Sequence, residues 1–194
     1  VRILAYHRIS DDRDFLAVKP GAFRRQLDLL QTQGLRPVTL RRAVELVGSG
    51  ETLNGQFVCV TFDDGYLDNV EVALPLLEEA GIPATIFLPT NILSGTATYH
   101  WYENPPPAMT WDDARAVAAG GLVSFEAHGT THRALPHLSD EELREELVGS
   151  REALESELGR PASVFCYPAG LHGDREVRLT RETGYDAAVT TQPG

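Results

Sequence analysis

Two short stretches of this sequence combine residue types that could do chemistry together. In Thr61-Phe62-Asp63-Asp64-Gly65, two adjacent carboxylates follow directly on the apolar run Phe57–Phe62. If that run is a strand of a parallel sheet, the pair sits at its C-terminal end, where α/β folds build their sites. One carboxylate could then bind a cation while its neighbour accepts a proton. Asp and Gly after an apolar run would serve equally well as a solvated turn opening a helix. In His128-Gly129-Thr130-Thr131-His132, two histidines follow another apolar run, Val123–Ala127. Were this segment to turn helically, both rings would lie on one face and share an ion, with a carboxylate as third ligand and water in the open position. Two surface histidines at a strand end have the same spacing. A third run, Phe165-Cys166-Tyr167-Pro168-Ala169-Gly170, also leads from apolar residues into a turn. Three strand ends of this kind in one chain are much less expected by chance than any one alone.

The elements that must carry these stretches are legible as an alternation. Apolar runs bounded by turn residues alternate with stretches of helical period, which predicts an α/β fold with a parallel sheet. Strands are expected over residues 1–5, Phe57–Phe62, Ala84–Leu88, Val123–Ala127, 163–167 and 187–190. Phe23, Leu27 and Leu30 recur at helical spacing before Gly34, residues 40–47 form a second helix ending in Gly48, and residues 69–80 a third that stops at Gly81. Thr110 can cap a helix to Ala119 that Gly120 and Gly121 end, and Ser139 with Glu142 is a capping-box pair opening a long helix closed by Gly159 and Pro161. A last helix lies around 175–183, before Gly184. Two segments break the alternation. Residues 10–19 are charged, lack periodicity and read as a surface loop. Residues 95–109, with Tyr99, His100, Trp101, Tyr102 and three consecutive prolines, are long for a connection; exposed aromatics there would suit stacking on sugar rings, or would anchor the loop.

Composition narrows the partners. With 42% apolar and 23% charged residues, the 194-residue chain has the make-up of one globular domain rather than of a disordered segment. A formal charge of −11 without a Lys/Arg run argues against nucleic acid or an anionic membrane as partner. No apolar stretch reaches the length of a transmembrane segment, and the first residues lack a signal-peptide layout, although a start at Val1 in a strand is consistent with a leader already removed. Cys59 and Cys166 both lie in apolar runs and are expected as buried thiols rather than as a disulfide.

Taken in order, the strand-end motifs resemble those of the polysaccharide deacetylases with NodB homology, carbohydrate esterase family 4. The resemblance runs from about Phe57 to the end of the chain. It implies a distorted (β/α) barrel of about seven parallel strands, one deacetylase domain over residues 1–194, possibly cut short at its C-terminus. It implies that Asp63 is the catalytic base, that Asp64, His128 and His132 are metal ligands, and that the backbone of Ala169, just after Pro168, helps to bind an oxyanion. Tyr167 and Trp101 are the further substrate contacts expected. One divalent ion follows, zinc by default, although the same donors accept cobalt or nickel.

Two family features are missing. Cys166 stands where the third motif usually begins with an Arg that orients the base, and the C-terminal motif that supplies a His has no counterpart before Gly194. Both departures are similar to the branch that deacetylates poly-β-1,6-N-acetylglucosamine in biofilm matrices, where a Tyr-His near the N-terminus takes over that role. Tyr6-His7 matches it, which makes His7 the expected general acid. The resemblance therefore implies a hydrolase of amide carbon–nitrogen bonds, acting as a monomer on an acetylated polysaccharide in an extracellular, cell-surface or periplasmic setting. Peptidoglycan, chitin-type oligomers and acetylated xylan are the alternative substrates, and a non-catalytic carbohydrate-binding module is the alternative of another class. His100, His137 and His172 match no family position and are expected on the surface.

Overall fold

The computed structural model describes residues 1–49 and 55–192. Among them the chain runs β1 (Arg2–Tyr6), β2 (Arg8–Ile9), β3 (Ala17–Val18), α1 (Pro20–Thr32), β4 (Arg36–Pro37), α2 (Leu40–Gly48), β5 (Phe57–Phe62), α3 (Leu74–Ala80), β6 (Ala84–Leu88) and α4 (Thr90–Leu93). It continues through α5 (Trp111–Gly120), β7 (Val123–Ala127), α6 (Asp140–Leu158), β8 (Val164–Cys166), α7 (Asp174–Glu182) and β9 (Ala187–Val189). Seven strands make one sheet in the order β1-β5-β6-β7-β8-β9, with β4 beside the start of β5, and every pairing is parallel. The parallel sheet is the one the alternation predicts, and it curls into a half-barrel with helices packed on it, in keeping with the distorted barrel that the resemblance implies.

The strands read as nearly continuous apolar runs because both faces of the sheet are covered. Val58, Val60 and Phe62 of β5 join the larger core cluster, together with residues of α1, α3, α5, α6 and α7. Cys59, between them, joins a smaller cluster with Phe87, Val164, Cys166 and, from α2, Leu40 and Ala43. The same period of two puts Phe125 and Ala127 of β7 in the larger cluster. Continued one step past β5 and β7, it sends Asp63 and His128 to the face that Cys166 occupies. The strand ends thus aim their polar groups at one place before any loop intervenes.

Most boundaries fall within two residues of expectation, and the capping boxes at Thr110 with Asp113 and Ser139 with Glu142 are both formed. Cys59 and Cys166 are free and buried. Two local features depart from the sequence reading, and a third takes one of the two roles that reading left open. Residues 69–73 form a π-helical turn ahead of α3, because Pro75 lacks the amide that would bond back to Glu71 and the backbone widens before it. Residues 10–19 are not wholly irregular, since β2 and β3 pair across them, and Arg8, 6% exposed, holds Asp12, Asp14 and Asp68 at 2.8 Å each. Residues 95–109 dock against the segment after β5: Met109 N–H donates to Gly65 O and Leu67 N–H to Pro107 O, both at 2.9 Å. No helix among the described residues is long and apolar enough to cross a membrane.

Glu126 is the polar joint of the sheet's inner face. Its buried carboxylate accepts N–H bonds from Ser163 at 2.7 Å and Val164 at 2.9 Å, tying β7 to the entrance of β8. Glu126→Ala would leave two buried donors without partners, and chemical denaturation is expected to show a loss of about 2–4 kcal/mol. A loss below about 1 kcal/mol would show that β8 is held by its apolar packing alone.

Candidate active site

The C-terminal ends of β1, β5, β7 and β8 open into a pocket of about 350 Å³ lined by His7, Asp63, Asp64, His128, His132 and Ala169, among others. Three non-glycine residues have positive φ among the described residues, Asp64 at 72°, His132 at 59° and Ala169 at 54°, and all three line this pocket. Left-handed backbone is costly for residues with a Cβ, and such strain gathers where geometry serves a site. For Asp64 the consequence is direct. Strand alternation would turn it away from Asp63, and the left-handed turn brings it back to the same face. Gly65 follows in the same conformation, φ 67°, with the Leu88 side chain so close that a Cβ would lie 2.8 Å from it.

Asp64, His128 and His132 converge as a ligand set. Both His128 Nε2 and His132 Nε2 approach Asp64 Oδ1, at 3.5 and 3.3 Å. The His128 Nδ1–H donates to the Cys166 carbonyl at 2.8 Å, which leaves the Nε2 lone pair pointing into the cluster. Asp64 Oδ1 is buried without a hydrogen-bond partner. A divalent cation fits this donor set, since it would satisfy that oxygen and needs neutral imidazoles. Burial pulls His128 well below the usual imidazole range, and burial with the neighbouring His100 brings His132 to about 4. A second set, Asp63, His128 and Cys166, lies equally close. It offers one imidazole where the first set offers two, and burial drives the Cys166 thiol far above its usual range.

The two histidines do not meet through a helical turn. Residues 128–132 form a loop in which Gly129, φ 78°, and left-handed His132 fold the chain so that the ring centroids stand 4.7 Å apart. The loop is clamped from both sides. At the start of α4, Thr90 N–H donates to Gly129 O at 3.2 Å and Asn91 N–H to Thr130 O at 2.8 Å. From α6, the buried Glu146 carboxylate accepts N–H bonds from Thr130 at 2.7 Å and Thr131 at 3.0 Å, and the Thr131 hydroxyl as well. Glu146 belongs to no sequence motif. Its only sign in the sequence is a charged residue at a core-facing position of α6, between Leu143 and Leu147.

Asp63 sits beside this set. Its N–H donates to Tyr6 O at 2.9 Å, extending the β1–β5 ladder, and Cys166 Sγ lies 3.8 Å from its Oδ2. Burial pushes its carboxyl up to about 7. His7 Nε2 is 4.0 Å from the same oxygen, and Asn69 holds the His7 carbonyl at 2.7 Å. Trp101 packs on His132 with ring centroids 4.4 Å apart, and His100, exposed as expected, also lines the pocket. His172 instead stacks on Tyr167. Ala169 lies on the pocket wall ahead of Gly170, where a Cβ would collide with Thr191. Tyr167 is not a pocket residue: it is 2% exposed and its hydroxyl donates to Thr180 Oγ1 at 3.2 Å, so β8 alternation has turned it into the core.

A family model described as polysaccharide deacetylase matches residues 50–188. YxkH of Bacillus subtilis (strain 168) is 28% identical over 192 residues, covering 99% of this chain and 64% of that protein. The poly-beta-1,6-N-acetyl-D-glucosamine N-deacetylase of Escherichia coli (strain K12) is 23% identical over 235 residues, covering 98% of this chain and 34% of that one. The chain therefore spans less than two thirds of the length of either relative. The structure of IcaB from Ammonifex degensii superposes with a TM-score of 0.83 at 25% identity, over 95% of this chain and 80% of that one.

Glu146→Ala frees the loop that carries both histidines while leaving every candidate ligand in place. Calorimetric titration with zinc is expected to show affinity falling by about tenfold or more. Unchanged affinity in a folded variant would mean that α4 and Gly129 hold the loop without it.

Proposed function

The chain belongs to the polysaccharide deacetylase family, and from that premise we propose that it is a zinc-dependent N-deacetylase of an N-acetylglucosamine polymer, poly-β-1,6-N-acetylglucosamine in the first place. The observation that carries this reading is the convergence of Asp64, His128 and His132 around one unpartnered buried oxygen, with Asp63 left free beside them. The likeness to poly-β-1,6-N-acetylglucosamine deacetylases supports the linkage, as does Cys166 in place of an Arg.

Asp64, His128 and His132 would hold the ion. Bound there, a divalent ion supplies Lewis acidity, polarising the acetamide carbonyl and making water a stronger nucleophile. Asp63, with its carboxyl raised toward neutral pH by burial, takes the proton of the attacking water. The Ala169 N–H is a donor for the oxygen on which negative charge develops. His7 returns a proton to the departing nitrogen as the C–N bond breaks, so that water and the N-acetylated sugar become acetate and a free amine. Trp101, packed on His132, gives the sugar an apolar wall. The reading further takes residues 1–194 as one deacetylase domain that works as a monomer at the cell surface or in the periplasm.

Acetate release from a panel of polymers tests the reading. Poly-β-1,6-N-acetylglucosamine is expected to be turned over faster than chitin-type oligomers, peptidoglycan or acetylated xylan, with loss of activity to a chelator and recovery on adding zinc or cobalt. Asp63→Asn is expected to cut turnover by about a thousandfold while zinc binding persists. Activity that survives chelation, or near-normal turnover in Asp63→Asn, would overturn these roles.

The role of His7 has its own signature. Burial lowers its pKa, with the Asp14 charge opposing. A general acid works in its protonated form, so the wild-type rate falls as pH rises through that lowered pKa, and His7→Ala is expected to lose this dependence together with most of its turnover. An unchanged pH–rate profile in His7→Ala would remove it from the acid role.

A further inference from the structure

Phe15 is the most exposed large apolar residue among the described residues, at 81%. Single exposed hydrophobics are ordinary; the place and the rigidity of this one are not. Phe15 lines the candidate active-site pocket, and it also lines a second hollow of about 460 Å³ whose walls include Asp12, Arg13, Tyr102 and Asn104. It is therefore the ridge between the two.

The backbone on either side of Phe15 is tied down by a buried network of charges. The Asp14 carboxylate accepts the Leu16 N–H at 2.9 Å, the Arg8 guanidinium at 2.8 Å and the Tyr102 hydroxyl at 2.6 Å. Arg8 N–H donates to Leu16 O at 3.2 Å, and Arg8 itself is buried and also paired with Asp12 and Asp68. The Phe15 ring leans on Tyr102, centroids 6.3 Å apart and planes tilted by 32°. An apolar ring is thus held out into solvent at the lip of a catalytic pocket, with the ordering cost met before any ligand arrives.

We propose that Phe15 is the stacking platform of a second sugar subsite, on which the polymer unit next to the one being deacetylated lays the C–H face of its pyranose ring. The negative face of an aromatic ring attracts such C–H groups, and the contact also removes the exposed ring from water. The hollow beyond Phe15 receives that unit, with Asp12, Arg13 and Asn104 offering acceptors and donors to its hydroxyl and acetamide groups. The inference rests on the deacetylase reading and deepens it: the site binds a chain of sugars, not a single acetylated unit.

The test compares wild type, Phe15→Ala and Phe15→Trp on N-acetylglucosamine oligomers from dimer to hexamer, following acetate release. Because the ring is mostly in solvent, the Ala variant should fold normally, which an unchanged melting temperature checks. Phe15→Ala is expected to raise KM on the longer oligomers by about tenfold with kcat within about twofold, while Phe15→Trp restores the wild-type KM. The length at which the Ala effect sets in marks the subsite. An active wild type whose KM is matched by Phe15→Ala at every length would overturn this inference alone. A wild type that releases no acetate from any oligomer would overturn the deacetylase reading and this inference with it.

Discussion

Two carboxylates and two imidazoles buried together at the ends of parallel strands set the terms for the rest of this structure. Taken out of water, each group resists its charged form. Burial raises Asp63 to about 7, and burial with the neighbouring Asp63 charge raises Asp64 well above the usual carboxylate range, while burial pulls both imidazoles down. Four such groups at the mouth of an apolar core make no sense as packing. Their donor chemistry suits one divalent cation held by Asp64, His128 and His132, which is what the proposed function asks of them, with Asp63 beside them in the role of base.

The fold accommodates that cluster by spending backbone strain locally and distributing support widely. Parallel strands bring β1, β5, β7 and β8 to a common edge, and the period of two aims alternate residues at one face. The last step is local, since Asp64, His132 and Ala169 each adopt left-handed backbone at the pocket wall. What stabilises these turns comes from elsewhere in the chain. Glu146 reaches in from α6, the Cys166 carbonyl orients His128, Tyr99 donates to the Asp64 carbonyl at 3.1 Å, and Asn69 anchors His7. A site built on four strands and braced by two helices and a loop can stay open without collapsing onto its own charges.

Much of this was legible in the sequence, because the sheet's apolar runs, the helix caps and the two motifs obey short-range rules. Asp63, Asp64, His128 and His132 follow strands whose ends are unmistakable, and His7 follows β1 in the same way. The parts that were not legible depend on contacts far apart in the chain. Glu146 looks like one acidic residue among several in α6 until the loop at residues 128–132 is folded against it. His100 and Phe15 sit in aperiodic segments, and only the docking of residues 95–109 onto the turn after β5 brings His100 to the pocket. Tyr167 misleads in the opposite direction: it lies within a motif, yet strand alternation buries its ring. The His-x-x-x-His spacing suggested a helical turn, and a glycine with a left-handed histidine achieves the same approach of the rings by a different path.

The central claim is that one divalent ion sits among Asp64, His128 and His132, with Asp63 outside its coordination. Anomalous diffraction at the zinc edge from crystals grown with zinc measures this directly. The expected result is a single peak at about 2.0–2.2 Å from an Asp64 oxygen and from Nε2 of both histidines, with Asp63 making no bond to it. A peak bound instead by Asp63 and Cys166, or none in the pocket at all, would contradict it.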